Sequence, residues 1–278
     1  MHFTRGRPIV AVAESTEQER RFESELIHAS ARVLLIAAIG LAILGVGRLF
    51  GKEQGHALTG VGTVVVLIAL VMHFDHLSFR IGRIAVVLII VGAISDGVAN
   101  VLRIFDTSSA LRSVLVTATY LLFGVAAAAI AVHKERQMKA MLDEYAAGTP
   151  WRAQVTVHAT FLSLIAVAIG MVLYGVGKIG VLSNPGIDWA ALMSLGAILV
   201  VIGVISHFEH LVPRLGVVAV GAVILAAIFY AAGPLLDALS ATLSKDDYWW
   251  QVCRGISALL GALACLIAYR KKLSTDNA

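Results

Sequence analysis

The sequence predicts an all-α polytopic membrane protein of about eight transmembrane helices, arranged as two parallel four-helix repeats. Three observations predict it. Apolar residues make up 59% of the 278 residues and charged ones only 14%; the apolar residues gather into eight long stretches; and the second half of the chain restates the first. A soluble chain carries roughly 25% charged residues. The shortfall excludes an ordinary cytosolic enzyme, a nucleic-acid-binding domain and a disordered chain. The net charge of +4 bears on orientation, because Lys and Arg collect on the cytoplasmic side of a membrane.

A spanning helix needs about 20 mostly apolar residues. Such stretches lie near 30–50, 57–75, 80–103, 111–133, 155–178, 187–207, 213–236 and 250–270. Ahead of them, residues 1–27 form a charged arm that lacks the apolar run of a cleavable signal peptide. Thr16-Glu17-Gln18-Glu19 within it fits a capping box, so a polar helix is expected from about Thr16. Residues 28–133 make the first four-helix unit, 134–154 a charged, partly helical connection, 155–272 the second unit, and 273–278 a short tail. Pro234 and the run Ser244-Lys245-Asp246-Asp247 mark the last external loop.

An even number of spans puts both termini on one face, and charge chooses it. Arg5, Arg7, Arg20, Arg21, Arg32, Arg80, Arg83, Lys134, Arg136, Lys139, Arg152, Arg214, Arg270, Lys271 and Lys272 fall on the terminus side. That is 15 of the 22 basic residues. The termini are therefore expected in the cytoplasm and the chain in the plasma (inner) membrane.

The repeat is read residue by residue. His28-Ala29-Ser30 returns as His158-Ala159-Thr160, Ile39-Gly40 as Ile169-Gly170, and Gly45-Val46-Gly47-Arg48 as Gly175-Val176-Gly177-Lys178. After a four-residue insertion, His73-Phe74-Asp75-His76-Leu77 returns as His207-Phe208-Glu209-His210-Leu211, followed by Arg80 and Gly82 as Arg214 and Gly216. The glycines from Gly175 to Gly180 spell a dinucleotide fingerprint, but they end an apolar helix and follow no strand. Close helix packing explains them better.

Eight of the nine histidines fall on the terminus side. The repeated H-F-[DE]-H places His73 and His76, and likewise His207 and His210, at i and i+3 on one helix face. Asp75 and Glu209 point about a third of a turn away, and His28 and His158 reach a similar depth. Interfacial histidines often only cap helix C-termini; a duplicated pair with a carboxylate at the same helix end favours a metal or redox site. Three centres suit these ligands: a bis-imidazole heme b, a mononuclear metal, or a Rieske-like [2Fe–2S] cluster. Cys253 and Cys265 are twelve residues apart, hence about 18 Å along a helix, too far to share one cluster. The remaining ligands would be Asp75 and Glu209 or residues of a partner.

Other polar groups carry less. Asp96 and Asn100 share one helix face in the external half of their span. Tyr248, Trp249 and Trp250 suit an external aromatic belt and Trp151 its cytoplasmic counterpart. Ser30, Arg32 and Trp151 lie near the histidine layer, where they can hold a quinone carbonyl and ring; membrane anchoring explains them equally well.

The length, the charged arm from Arg5-Gly6-Arg7-Pro8 through Glu25 and the two H-F-[DE]-H-L motifs together resemble the membrane-anchor subunit of the actinobacterial type of succinate dehydrogenase, which has a single fused anchor polypeptide. That resemblance implies a flavoprotein and an iron–sulfur subunit docked on the cytoplasmic face. It also implies a quinone acceptor, menaquinone in this type, and a Rieske-like [2Fe–2S] centre in the membrane subunit. The chain would then be an electron-transfer subunit of a tricarboxylic-acid-cycle oxidoreductase without a soluble-substrate site of its own. The competing expectation is a transporter or channel, since parallel repeats also build transporters. Against it, the sequence places almost no charge at the membrane midplane.

Overall fold

The computed structural model describes residues 29–50, 52–102, 105, 109–147, 157, 159–183, 189–239 and 248–276. The expected capped helix near Thr16, Trp151, His28 and His158 lie outside these. The described residues form ten helices and no strand: α1 (Ala31–Phe50), α2 (Lys52–Met72), α3 (Phe74–Ile81), α4 (Arg83–Leu102), α5 (Ser109–Ala146), α6 (Phe161–Ser183), α7 (Trp189–Ile205), α8 (Phe208–Leu215), α9 (Val217–Leu239) and α10 (Tyr248–Asp276). Seven are long and apolar enough to cross a membrane, and α7 is a shorter apolar helix of 17 residues. The protein is a polytopic α-helical membrane protein.

The surface and the interior are composed oppositely. Val61, Val64, Ile68 and Val71 on α2, and Ile84, Val87, Val91, Ile94 and Val98 on α4, recur every three or four residues and are exposed. Small residues such as Ala38, Ala85, Ala99, Ala131, Ala219 and Ala262 are buried. Lipid solvates branched aliphatic side chains as well as a protein interior does, so packing selects small residues that let backbones approach. At Gly170 an added methyl would sit 2.5 Å from the Gly196 carbonyl oxygen. At Gly177 it would meet Met193, and at Gly180 the Trp189 ring. Gly175 faces Tyr120 and Leu121 of α5, so the fingerprint-like glycines are packing residues of α6 against α5 and α7.

The long helices follow one another round a closed ring. Among the described residues α1 packs on α2, α2 on α4, α4 on α5, α5 on α6, α6 on α7, α7 on α9, α9 on α10, and α10 returns to α1. Neighbours in the ring run antiparallel where glycines fix the register: Gly40 faces Val66 while Gly47 faces Thr59, and Gly45 faces Leu259 while Leu49 faces Gly255. We call the end where α1 begins and α10 finishes the terminal face.

Two expectations about boundaries change. The second span, expected to run through His73 and Asp75, stops at Met72, and the sixth stops at Ile205. In both places the chain makes a tight i→i−3 bond, His73 N–H to Leu70 O at 3.2 Å and His207 N–H to Val204 O at 3.1 Å. It then turns into a separate eight-residue helix. Gly82 and Gly216 end those helices at φ 87° and 85°, a backbone region that residues with a Cβ rarely enter. The fourth span and the expected partly helical connection are one helix: α5 has 38 residues, about 57 Å, against a hydrocarbon core of about 30 Å. Its charged stretch from Lys134 onward extends past the spanning part, and the Lys134 ammonium donates to the Ala159 carbonyl just before α6.

Candidate functional site

At the terminal face, short polar side chains hold the helix starts. Ser30 Oγ accepts the Val33 N–H at 3.3 Å, and Thr160 Oγ1 accepts the Ser163 N–H at 3.1 Å. These are matching N-caps on α1 and α6. Ser163 Oγ lies 2.8 Å from Ser206 Oγ, tying the start of α6 to the turn before α8. Ser30 and Arg32, considered from sequence for a quinone, are both exposed.

The H-F-x-H segments share one backbone geometry. His73 has φ −100° and ψ 5°, and His207 φ −99° and ψ 1°, each preceding the first residue of its short helix. The His73 and His76 rings stack with centroids 5.5 Å apart and planes inclined by 27°. His73 is half-buried, whereas His76 and Asp75 are exposed. Burial, then the neighbouring His76 and Arg80, hold the His73 imidazole below its ordinary range, so its neutral, ligand-competent form is favoured. Burial and the charge of Arg214 likewise depress Arg80. The two short helices therefore lie within electrostatic reach of each other across the ring. Lys271 of α10 donates to the Pro213 carbonyl of α8 at 3.3 Å.

Whether a metal centre fits this layer turns on the donors present. His73 and His76 offer two adjacent imidazoles. Among the described residues no three His, Cys, Asp or Glu side chains converge. The Glu209, His210, His28 and His158 side chains are outside the described set, so the described donors alone do not complete a cluster. Cys253 and Cys265 both sit on α10, with Cys253 buried near the end opposite the terminal face.

The second polar assembly lies inside the ring, toward that opposite end. Arg254 of α10 donates through Nη2 to Tyr120 Oη at 2.6 Å, with Tyr174 Oη at 3.2 Å and Tyr230 Oη at 3.4 Å. The hydroxyls of Tyr120 and Tyr230 are themselves hydrogen-bonded. The guanidinium also lies 5.0 Å from the Trp250 ring and 5.2 Å from that of Tyr230. A few ångströms away, Arg48 donates to Gln251 Oε1 at 3.1 Å and to Asn100 Oδ1 at 3.0 Å, and Asn100 Nδ2 donates to Asp96 Oδ2 at 2.9 Å. Six long helices, α1, α4, α5, α6, α9 and α10, thus each contribute a link. A charged group in such a place is costly unless it is paired or hydrogen-bonded, and such residues mark ligand or ion sites in membrane proteins.

The assembly borders two cavities. The larger, about 430 Å³, is walled by Leu41, Leu44, Val66, Leu67 and Phe123 and has a polar end at Asp96, Tyr120, Tyr230 and Arg254. The smaller, about 140 Å³, shares Arg48, Asp96 and Arg254 and adds Asn100, Arg112 and Lys178. Sequence reasoning singled out Asp96 and Asn100 but missed Arg48, Arg254 and the three tyrosines. Four of the seven cations not counted on the terminus side, Arg48, Arg112, Lys178 and Arg254, line the smaller cavity. The ring interior therefore carries charge toward the end opposite the terminal face. The signal was available: an arginine inside an otherwise apolar span.

Fold and site together define a polytopic α-helical membrane protein with a polar chamber inside its helix ring. No protein-family model, curated protein or solved structure matches the chain.

Proposed function

We propose that the chain is the membrane-anchor and electron-transfer subunit of a quinone-linked dehydrogenase, of the succinate:quinone oxidoreductase kind, and that the quinone head group occupies the larger cavity. The observation that carries this reading is the chamber's division into an apolar body and one polar end. A quinone is a flat apolar ring with two carbonyl acceptors and an apolar chain. Arg254 and the Tyr120 and Tyr230 hydroxyls can supply donors to a carbonyl, the Asp96 carboxylate can accept a hydrogen bond from a quinol hydroxyl, and Leu41, Leu44, Val66, Leu67 and Phe123 suit the ring and chain. A volume of about 430 Å³ falls within the roughly 300–1,000 Å³ of small-molecule sites. This moves the quinone away from Ser30 and Arg32, which do not border the chamber.

In this reading His73 and His76 at the terminal face would offer two imidazole ligands to a [2Fe–2S] or heme b centre, whose chemistry would be one-electron transfer, with the remaining ligands coming from outside the described residues. Residues 1–27 and the extended α5 receive the iron–sulfur and flavoprotein subunits on the cytoplasmic side. The cytoplasmic assignment gains from the inward cations, because removing them from the external count sharpens the charge asymmetry. Eight spans in two parallel units are supported by the matched caps at Ser30 and Thr160 and the matched turns at His73 and His207.

The test is extraction of quinone from the protein purified in native lipid, together with its visible spectrum and acid-labile sulfide. Bound menaquinone is expected, and Phe123→Trp, which fills the chamber, should remove it while the protein stays folded. A quinone-free sample in native lipid would overturn the proposal. One observation favours a second reading as a transporter or channel: the helices close round a charged interior. That reading predicts a colourless, quinone-free protein that moves solute across proteoliposomes.

A further inference from the structure

We infer that the smaller cavity is a binding site for an oxyanion, built from Arg112 and Arg254 with Arg48 and Lys178 at its wall. This holds whether or not the larger chamber takes a quinone. Among the described residues the cavity is bordered by four cations and one carboxylate, Asp96. The carboxylate is already engaged by Asn100 at 2.9 Å. The Nε of Arg112 and the Nε of Arg254 are both buried and have no hydrogen-bond acceptor among the described residues. A buried donor left unmet is costly, more so when charged, and a guanidinium cannot escape by losing its proton. An anion in the cavity would balance the excess of positive charge at its wall.

The shape of the donors narrows the class. Guanidinium groups present N–H donors in a planar fork that matches two oxygens of one carboxylate or phosphate. A space of about 140 Å³ suits a compact head rather than a whole metabolite. The cavity's residues sit in the outer turns of their helices: Arg48 and Asn100 near the ends of α1 and α4, Arg112 and Trp250 near the starts of α5 and α10. The site therefore opens toward the face opposite the termini, within reach of both free anions and lipid headgroups.

The internal repeat adds an independent reason. The offset that carries His73 to His207 also carries Asp96 to Tyr230 and Tyr120 to Arg254, and the earlier offset carries Arg48 to Lys178. Equivalent positions of both units thus meet at one place with different chemistry. The first unit supplies the carboxylate and the second a phenol at the same position, which leaves the cations in excess.

The experiment uses the full-length protein in nanodiscs of phosphatidylcholine, titrated with inorganic phosphate and read by calorimetry and thermal stability. A parallel set contains phosphatidylglycerol without phosphate. Phosphate should bind and stabilise the wild type, and Arg112→Gln should weaken binding by about tenfold or more, as expected for loss of one charge-assisted fork. Arg136→Gln, on the exposed part of α5 beyond the membrane, should leave it unchanged. Stabilisation by phosphatidylglycerol alone, lost in Arg112→Gln, assigns the same site to a lipid phosphate. No stabilisation by either source, or equal stabilisation of wild type and Arg112→Gln, overturns the inference. Quinone retention is measured on the same samples, so failure of the anion site and failure of the quinone reading are separate results.

Discussion

At the terminal face, His73 and His76 stand half-buried and exposed at the rim of the ring, held by a backbone turn and by their own stacking. At the opposite end, Arg254 lies among three phenols and a tryptophan, and every one of its polar neighbours comes from another turn or another helix. The first region is local in sequence and tolerant of water. The second is assembled from residues far apart in the chain and is paid for by hydrogen bonds, because nothing else solvates a guanidinium there. A motif therefore marks a site built from neighbours in sequence, and an isolated charge in an apolar span marks one assembled from distant helices.

Stability separates the two regions most strongly. Arg254→Leu should destabilise the detergent-purified protein by about 3 kcal/mol, since it removes hydrogen bonds from a charged donor to buried hydroxyls. It should also abolish quinone retention. His73→Ala should cost less than about 1 kcal/mol, as for a partly exposed residue with no buried network. Thermal unfolding followed by intrinsic fluorescence reads both. Similar losses would erase the distinction between the two ends.

A smaller effect sharpens the picture of the terminal face. The folded protein holds the His73 imidazole below its ordinary value, so it binds fewer protons than the unfolded chain in the interval between the lowered value and about 6.5. The stabilising contribution of neutral His73 is present above about 6.5 and is lost as pH falls through the lowered value. Replacing His76 with alanine removes one positive neighbour and should move the His73 titration upward, by less than burial moved it down, because burial is the larger cause. Ring-proton NMR of selectively labelled histidine measures this directly. An unchanged or lower titration point in His76→Ala would contradict it.

Much of the fold was legible because membrane helices write themselves in composition. The apolar stretches, the packing glycines and the matched segments appear in order along the chain. The breaks at His73 and His207 were not legible, because H-F-x-H has helical propensity on both sides, whereas the ends of the short helices fall at Gly82 and Gly216. The interior assembly was half legible. Asp96 and Asn100 stood out as polar residues on one face, but Tyr120, Tyr174 and Tyr230 look like ordinary interfacial aromatics until the ring brings their hydroxyls to Arg254. Arg48 and Arg254 lie near span ends, where a sequence does not distinguish an inward charge from a loop-side one, because it shows how deep a residue lies but not which way it faces.

On the proposed reading the chamber, rather than the histidine rim, holds the quinone. A photoreactive menaquinone analogue, cross-linked in native membranes and mapped by peptide mass spectrometry, tests it most directly. Labels are expected on the chamber wall, at Leu44, Val66, Phe123 or Tyr230, competed by unlabelled menaquinone and absent in Phe123→Trp. Competed labels confined to Ser30, Arg32 or Trp151, with the chamber wall unmarked, would contradict it.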